Sequence, residues 1–186
     1  MIQKRQPDKA AHVGRANTKR KQRTEPVAPS SWEDEETGWQ QSSHFLAGLS
    51  NVLSRARRHG REVTLIYFRL PLSAWTPDSR LRLYLTLRLQ LLQREVKPGV
   101  ASFGRLAEDE FAVCVANTDE FSAHANVMLL RQTLDDLAPE VSTAIFPRDG
   151  EDRDALLSSV TRALEEHPSN VIDFEAYRRR RGPRAA

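Results

Sequence analysis

Between residues 45 and 56 the apolar positions Phe45, Leu49, Leu53 and Ala56 fall at i, i+4, i+8 and i+11, one face of a helix. The stretch from Trp32 to Gly60 reads as helical, and RARRHG at 55–60 sets basic residues before a glycine, a helix stop. VTLIYF at 63–68 is a continuous apolar run and predicts a central strand buried on both faces. Pro71 and Pro77 bracket a loop. LRLYLTLRLQL at 81–91 alternates strictly, which is a strand signal. The segment 79–96 is nevertheless too long for an ordinary strand and is rich in Leu, Arg and Gln. Leu81, Leu85, Leu89 and Leu92 also share one helical face, so we read it as a helix.

Two β-prone runs, 100–106 and 111–116, then flank a short acidic stretch, which predicts a hairpin with carboxylates at its tip. Such carboxylates can hold a hard cation or simply solvate a loop. Residues 120–137 read as an amphipathic helix with Ala125, Met128, Leu129 and Leu134 toward the core. A strand follows at 141–146, a turn at 147–150, and a helix at 153–166 with Leu156, Leu157, Val160 and Leu164 inward. Val171 to Phe174 reads as one more short strand. This order predicts an α/β sandwich, with helices covering a largely antiparallel sheet.

Charge divides the chain. Residues 1–23 carry eight Lys/Arg against Asp8, a charge of +7, and residues 178–186 carry five Arg and no acid, +5. The remaining 15 basic and 24 acidic residues leave 24–177 at −9. Residues 1–31 lack apolar periodicity, whereas 170–181 alternates apolar and polar residues before its Arg run; 1–31 and the Arg-rich 175–186 read as disordered basic tails. The single cysteine, Cys114, excludes an intramolecular disulfide and sits in an apolar run, so it reads as a structural thiol. No apolar run reaches the roughly 18–20 residues that span a bilayer. The N-terminus has charge without an apolar core of a signal peptide. A soluble cytoplasmic protein is the expectation.

Four segments carry a family resemblance. DEETGWQQSSHF at 34–45 looks like DxLTGLxNRxxF, matching at Asp34, Thr37, Gly38 and Phe45, with Trp39 replacing an apolar Leu. ARRHG at 56–60 and the strand after it look like a first helix and strand. RLAEDEFAV at 105–113 is similar to RLGGDEFAV, and STAIFPRDG at 142–150 is similar to GxAxxPxDG; Ala155, Leu156, Leu157, Ala163 and Leu164 fit a closing helix. Together these segments resemble the GGDEF family, the diguanylate cyclase domains that join two GTP molecules into cyclic di-GMP. The resemblance implies a nucleotidyl cyclase-like α/β (α+β) sandwich over residues 32–174, with about five strands.

The departures from the pattern concern chemistry. In the signature Arg105, Ala107, Glu108, Asp109, Glu110 and Phe111, two glycines of the family have become Ala107 and Glu108. Side chains there fill space the nucleotide needs, and Glu108 adds negative charge beside a triphosphate. Asp109 matches a metal-binding acid, but the acid that should close the first strand is replaced by Arg69. A cation at a ligand position repels Mg2+ and removes two-metal activation. The downstream FKxxND and GHxxGD elements are unrecognisable in 72–80, and the ADxALYxAK motif has lost its Asp, Tyr and Lys at 160–168. The inhibitory product motif RxxD falls on Pro98, Gly99, Val100 and Ala101, so both recognition residues are missing.

These losses imply no cyclase activity, no cofactor and no metal. The leading reading is an inactive GGDEF-like module acting through protein partners in a bacterial assembly or signalling pathway linked to cyclic di-GMP, such as biofilm or exopolysaccharide control. A second reading is a receptor for cyclic di-GMP or GTP in a remodelled pocket. Arg55, Arg57 and Arg58 would then contact phosphate, although a solvated helix end is the commoner reason for such a run. Lys19, Arg20, Lys21, Arg178, Arg179, Arg180 and Arg181 are candidates for partner contact. Nucleic acid is disfavoured for them because only Tyr177 offers a stacking neighbour. For Asp109 and Glu110 the expectation is a role in hairpin geometry, paired with Arg105 or Arg69, and the specific form expected is an Arg69–Asp109 ion pair in place of the metal.

Overall fold

The computed structural model describes residues 32–71, 79–96, 101–118 and 120–166. Expectations for the basic tails, the positions 98–100 and the strand at 171–174 lie outside the described residues. The elements are β1 (Gln40–Gln41), α1 (Ser42–His59), β2 (Val63–Arg69), α2 (Ser79–Glu95), β3 (Ala101–Arg105), β4 (Glu110–Ala116), α3 (Glu120–Leu134), β5 (Glu140–Phe146) and α4 (Arg153–Glu166). The sheet order is β1-β3-β4-β2-β5, with β1 parallel to β3 and the other pairings antiparallel. The expected mixture of helices over a largely antiparallel five-stranded sheet is therefore present. Its fifth described strand is β1, which the apolar pattern does not announce.

β2 lies between β4 and β5, and side chains on alternate positions enter opposite layers. Leu65 and Tyr67 pack with Phe45, Leu49 and Leu53 of α1 and with Leu156 and Val160 of α4. Ile66 and Phe68 pack with Leu85 and Leu89 of α2 and with Val127 and Leu130 of α3. That two-sided burial explains why 63–68 is apolar without alternation. Gly104 on β3 lies directly under α1: an added Cβ would come 2.3 Å from Cγ of Phe45.

α1 starts at Ser42 rather than near Trp32. Residues 33–40 are taken by a turn and a bridge between Glu33 and Gln40, built on local hydrogen bonds that compete with helix. At its other end Gly60 adopts φ 60°, and the Arg61 amide donates to the Ala56 carbonyl at 3.0 Å, the expected glycine stop.

α2 resolves the alternating leucines as a helix, with Leu85, Leu89 and Leu92 buried and Leu83, Leu87 and Leu91 outside. The side chain of Leu81 lies outside the described residues. α3 corrects the expected face. Ala123, Val127, Leu130 and Leu134 are buried, whereas Ala125 and Met128 are exposed and Leu129 is half-buried. The buried set follows the i, i+4, i+7, i+11 stripe, and Met128 stands beside it. In α4, Leu156, Val160 and Leu164 are buried and Leu157 is half-buried, as expected.

Candidate functional site

The hairpin of β3 and β4 places the signature at one end of the sheet, with Arg105 opposite Phe111. The tip closes through backbone: the Leu106 and Ala107 amides donate to the Glu110 carbonyl at 2.8 and 3.3 Å. Ala107 and Glu108 are exposed, and Asp109 and Glu110 are half-buried. The Asp109 carbonyl accepts from the Leu70 amide at 2.9 Å, which ties the tip to the end of β2.

Arg69 closes β2 between Glu110 on β4 and Glu140 on β5, its register partners in both ladders. Its guanidinium lies 3.4 Å from Glu110 and 3.8 Å from Glu140. The expected Arg69–Asp109 pair is thus corrected. Asp109 falls in the tip before the ladder begins, while Glu110 is directly opposite Arg69. Just inside, Tyr67 is buried on the same face, and that burial, beside the Glu110 carboxylate, raises its phenol well above the ordinary value.

The Arg69 guanidinium engages the carboxylates of Glu110 and Glu140, so these two acids are already charge-compensated. Among the described residues no group of three His, Cys, Asp or Glu side chains converges as a ligand set. Cys114 is buried in β4, and burial pushes its thiol up to about 12. It is packing material rather than a nucleophile.

Arg105 faces the other way. One of its terminal nitrogens, Nη1, lies 3.1 Å from both carboxylate oxygens of Asp34 and 2.7 Å from Glu36. Its guanidinium also sits 6.0 Å from the Phe111 ring centre and donates to the Glu108 carbonyl at 3.0 Å. Asp34 in turn accepts from the Thr37 amide and hydroxyl at 2.9 and 2.7 Å. Burial alone would raise the Asp34 carboxyl. The Thr37 hydrogen bonds and the Arg105 charge outweigh it and hold the group below the usual carboxylate range.

Gly38 adopts φ 71°, which turns the chain so that Trp39 enters the core at 1% exposure. Its ring meets Phe103, Phe111 and Phe68 at 5.1, 5.6 and 6.1 Å between centres. Glu36 also pairs with Arg82 at 3.2 Å, and its carbonyl accepts from Thr86 at 2.9 Å, which anchors α2. Asp34, Thr37 and Gly38 were legible as motif matches; their role as a clamp on Arg105 was not. The signal available was the shared presence of Asp34 and Arg105, distant in sequence and opposite in charge.

With this geometry in place, the fold compares directly with solved structures. A sensory box/GGDEF family protein from Caulobacter crescentus CB15 aligns with a TM-score of 0.60 at 20% identity, covering 74% of this chain and 98% of that one. The GGDEF domain of DgcB from Caulobacter crescentus, solved in complex with c-di-GMP, gives 0.63 at 12% identity, covering 77% and 93%. Diguanylate cyclase SiaD from Pseudomonas aeruginosa, solved with its activator SiaC, gives 0.63 at 20% identity, covering 73% of this chain and 57% of SiaD. No protein-family model matches the chain, and no curated protein matches it significantly in sequence. The described residues have the fold of a GGDEF domain. No described helix is long and apolar enough to cross a membrane.

Proposed function

We propose that this chain is a catalytically inactive GGDEF-like domain that works through protein partners in a bacterial process linked to cyclic di-GMP. The observation that carries the reading is Arg69, a cation at the end of β2 held by Glu110 and Glu140. A cyclase of this class needs metal-bound carboxylates to activate a hydroxyl and to neutralise triphosphate charge. Ala107 and Glu108 at the tip act in the same direction, since their side chains crowd and repel the nucleotide. A fold that has lost its chemistry still presents rigid surfaces, and SiaD shows that a diguanylate cyclase can be bound by a protein activator. Biofilm or exopolysaccharide control is the setting this reading favours.

Calorimetric titration of the chain with cyclic di-GMP and with GTP, up to high micromolar ligand, tests the partner reading against a receptor role. No heat of binding is expected. Saturable binding of either nucleotide would transfer the function to ligand sensing.

A further inference from the structure

β5 ends the sheet on one side, and only its inner edge meets a neighbour, β2. Asp149 marks the groups that point away. Its carboxylate accepts from the Ile145 amide at 2.7 Å, and its own amide donates to the Ile145 carbonyl at 2.8 Å. Backbone groups alternate between the two edges of a strand, so those of Val141 and Thr143 also point away from β2. Neither residue's outward amide or carbonyl has a backbone partner among the described residues. Pro139 offers no N–H before them, and Asp149 covers Ile145 after them. The open edge is therefore two residues long.

The helices on either side leave that edge approachable. Tyr84 and Arg88 bond to Asp136 and mark the flank of α2 that meets α3. α3 runs antiparallel to α2, so its matching flank is Ser122, Asn126, Leu129 and Thr133. The opposite flank of α3 borders the open edge and holds Phe121 and Met128, 80% and 53% exposed, beside His124 and Arg131. On the other face of the sheet α4 lies over β5 and α1 over β3. Ser50, Ser54 and Arg57 mark the flank of α1 that meets α4. By the same antiparallel relation, the outer flank of α4 is Ala155, Ser159 and Ala163, all short side chains.

We propose that a second copy of this chain adds to this edge, β5 against β5, antiparallel and centred on Ser142. In that register Val141 of each copy lies opposite Thr143 of the other, and four hydrogen bonds satisfy every open group. Met128, at the middle of α3, faces the middle of the edge, so each copy covers the other's Met128. The chain's own ends do not fit the edge. α4 runs against β5, with the Val160 carbonyl over Ser142 at 2.8 Å, so Glu166 lies beside the start of β5. A segment entering the edge from there would run parallel to β5. That crossover would have the opposite hand to β1–α1–β2, β2–α2–β3 and β4–α3–β5, which all share one. The segment before Trp32 enters at the far edge of the sheet, where the Gln41 amide donates to the Trp32 carbonyl. The inference stands whether or not the domain turns over GTP.

Sedimentation velocity of the full chain, from about 1 to about 300 µM, should show a reversible dimer. Amide hydrogen exchange followed by NMR should show protection of Val141 and Thr143 that rises with concentration. Thr143→Pro removes an outward N–H that the β2 ladder does not use and should leave a monomer at every concentration. Met128→Glu lies at an exposed position and should weaken the dimer about tenfold or more, with unchanged circular dichroism and melting. It decides the matter if Thr143→Pro fails to fold. A monomer throughout overturns the proposal. So does a dimer that Met128→Glu leaves equally tight, or one in which Val141 and Thr143 exchange freely. Protection of both amides at every concentration, lost on Ile172→Asp with Phe174→Asp, would assign the edge to the chain's own C-terminal segment and would equally overturn it.

Discussion

The turn at 34–39 and the hairpin tip at 106–109 meet at Arg105, yet they are held by different forces. On the turn side, an arginine side chain only 11% exposed is shared between Asp34 and Glu36 and lies against Phe111, above the Trp39 aromatic cluster. On the tip side, backbone hydrogen bonds close the loop, and its nearest ion pairs, Arg69 with Glu110 and Glu140, are about a third exposed. Family-like residues persist where they hold the fold together. At the tip the pattern is mixed, with Ala107 and Glu108 departing from it and Asp109 and Glu110 keeping it. Resemblance in such a chain therefore reports on packing far more than on chemistry.

The comparison breaks most readily at Trp39. Trp39→Ala should cost about 3–5 kcal/mol, by loss of apolar burial and by the cavity left among three Phe rings, read as a lowered urea midpoint. Arg105→Ala should cost about 2 kcal/mol, because it strips charged hydrogen bonds from the half-buried Asp34; a loss near zero would make the clamp decorative.

The same clamp predicts an acid response. Asp34 has a folded pKa below its unfolded value of about 3.9. Its stabilisation is thus full above about pH 4 and is lost as pH falls through the folded value. Asp34→Asn should flatten urea midpoints measured between pH 5 and pH 2. Arg69→Ala should have the smallest effect, under about 1 kcal/mol, since screened, partly exposed pairs contribute little. A larger loss there would place the tip region in the same structural class as the turn.

Much of the fold was legible because periodicity reports burial directly. The stripe Phe45, Leu49, Leu53 and Ala56 and the run 63–68 stand as read. In α3, Met128 misled because it is apolar but lies off the stripe of Ala123, Val127, Leu130 and Leu134. β1 was invisible because Gln40 and Gln41 carry no strand pattern; Glu33 and the parallel neighbour β3 pair with them instead. The site was legible only in part. Loss of the acid at Arg69 can be read from sequence, but its partners depend on a register that sets Glu110 and Glu140 on either side. Trp39 could be seen as a substituted leucine, whereas its place among Phe68, Phe103 and Phe111 required three strands and a turn.

Incubation of the purified chain with GTP and Mg2+ or Mn2+, followed by chromatographic detection of cyclic di-GMP, tests the central claim most directly. The arginine-filled strand end and crowded tip predict no product at any enzyme concentration. Product formation that Asp109→Ala abolishes would contradict the account and restore the hairpin as an active site.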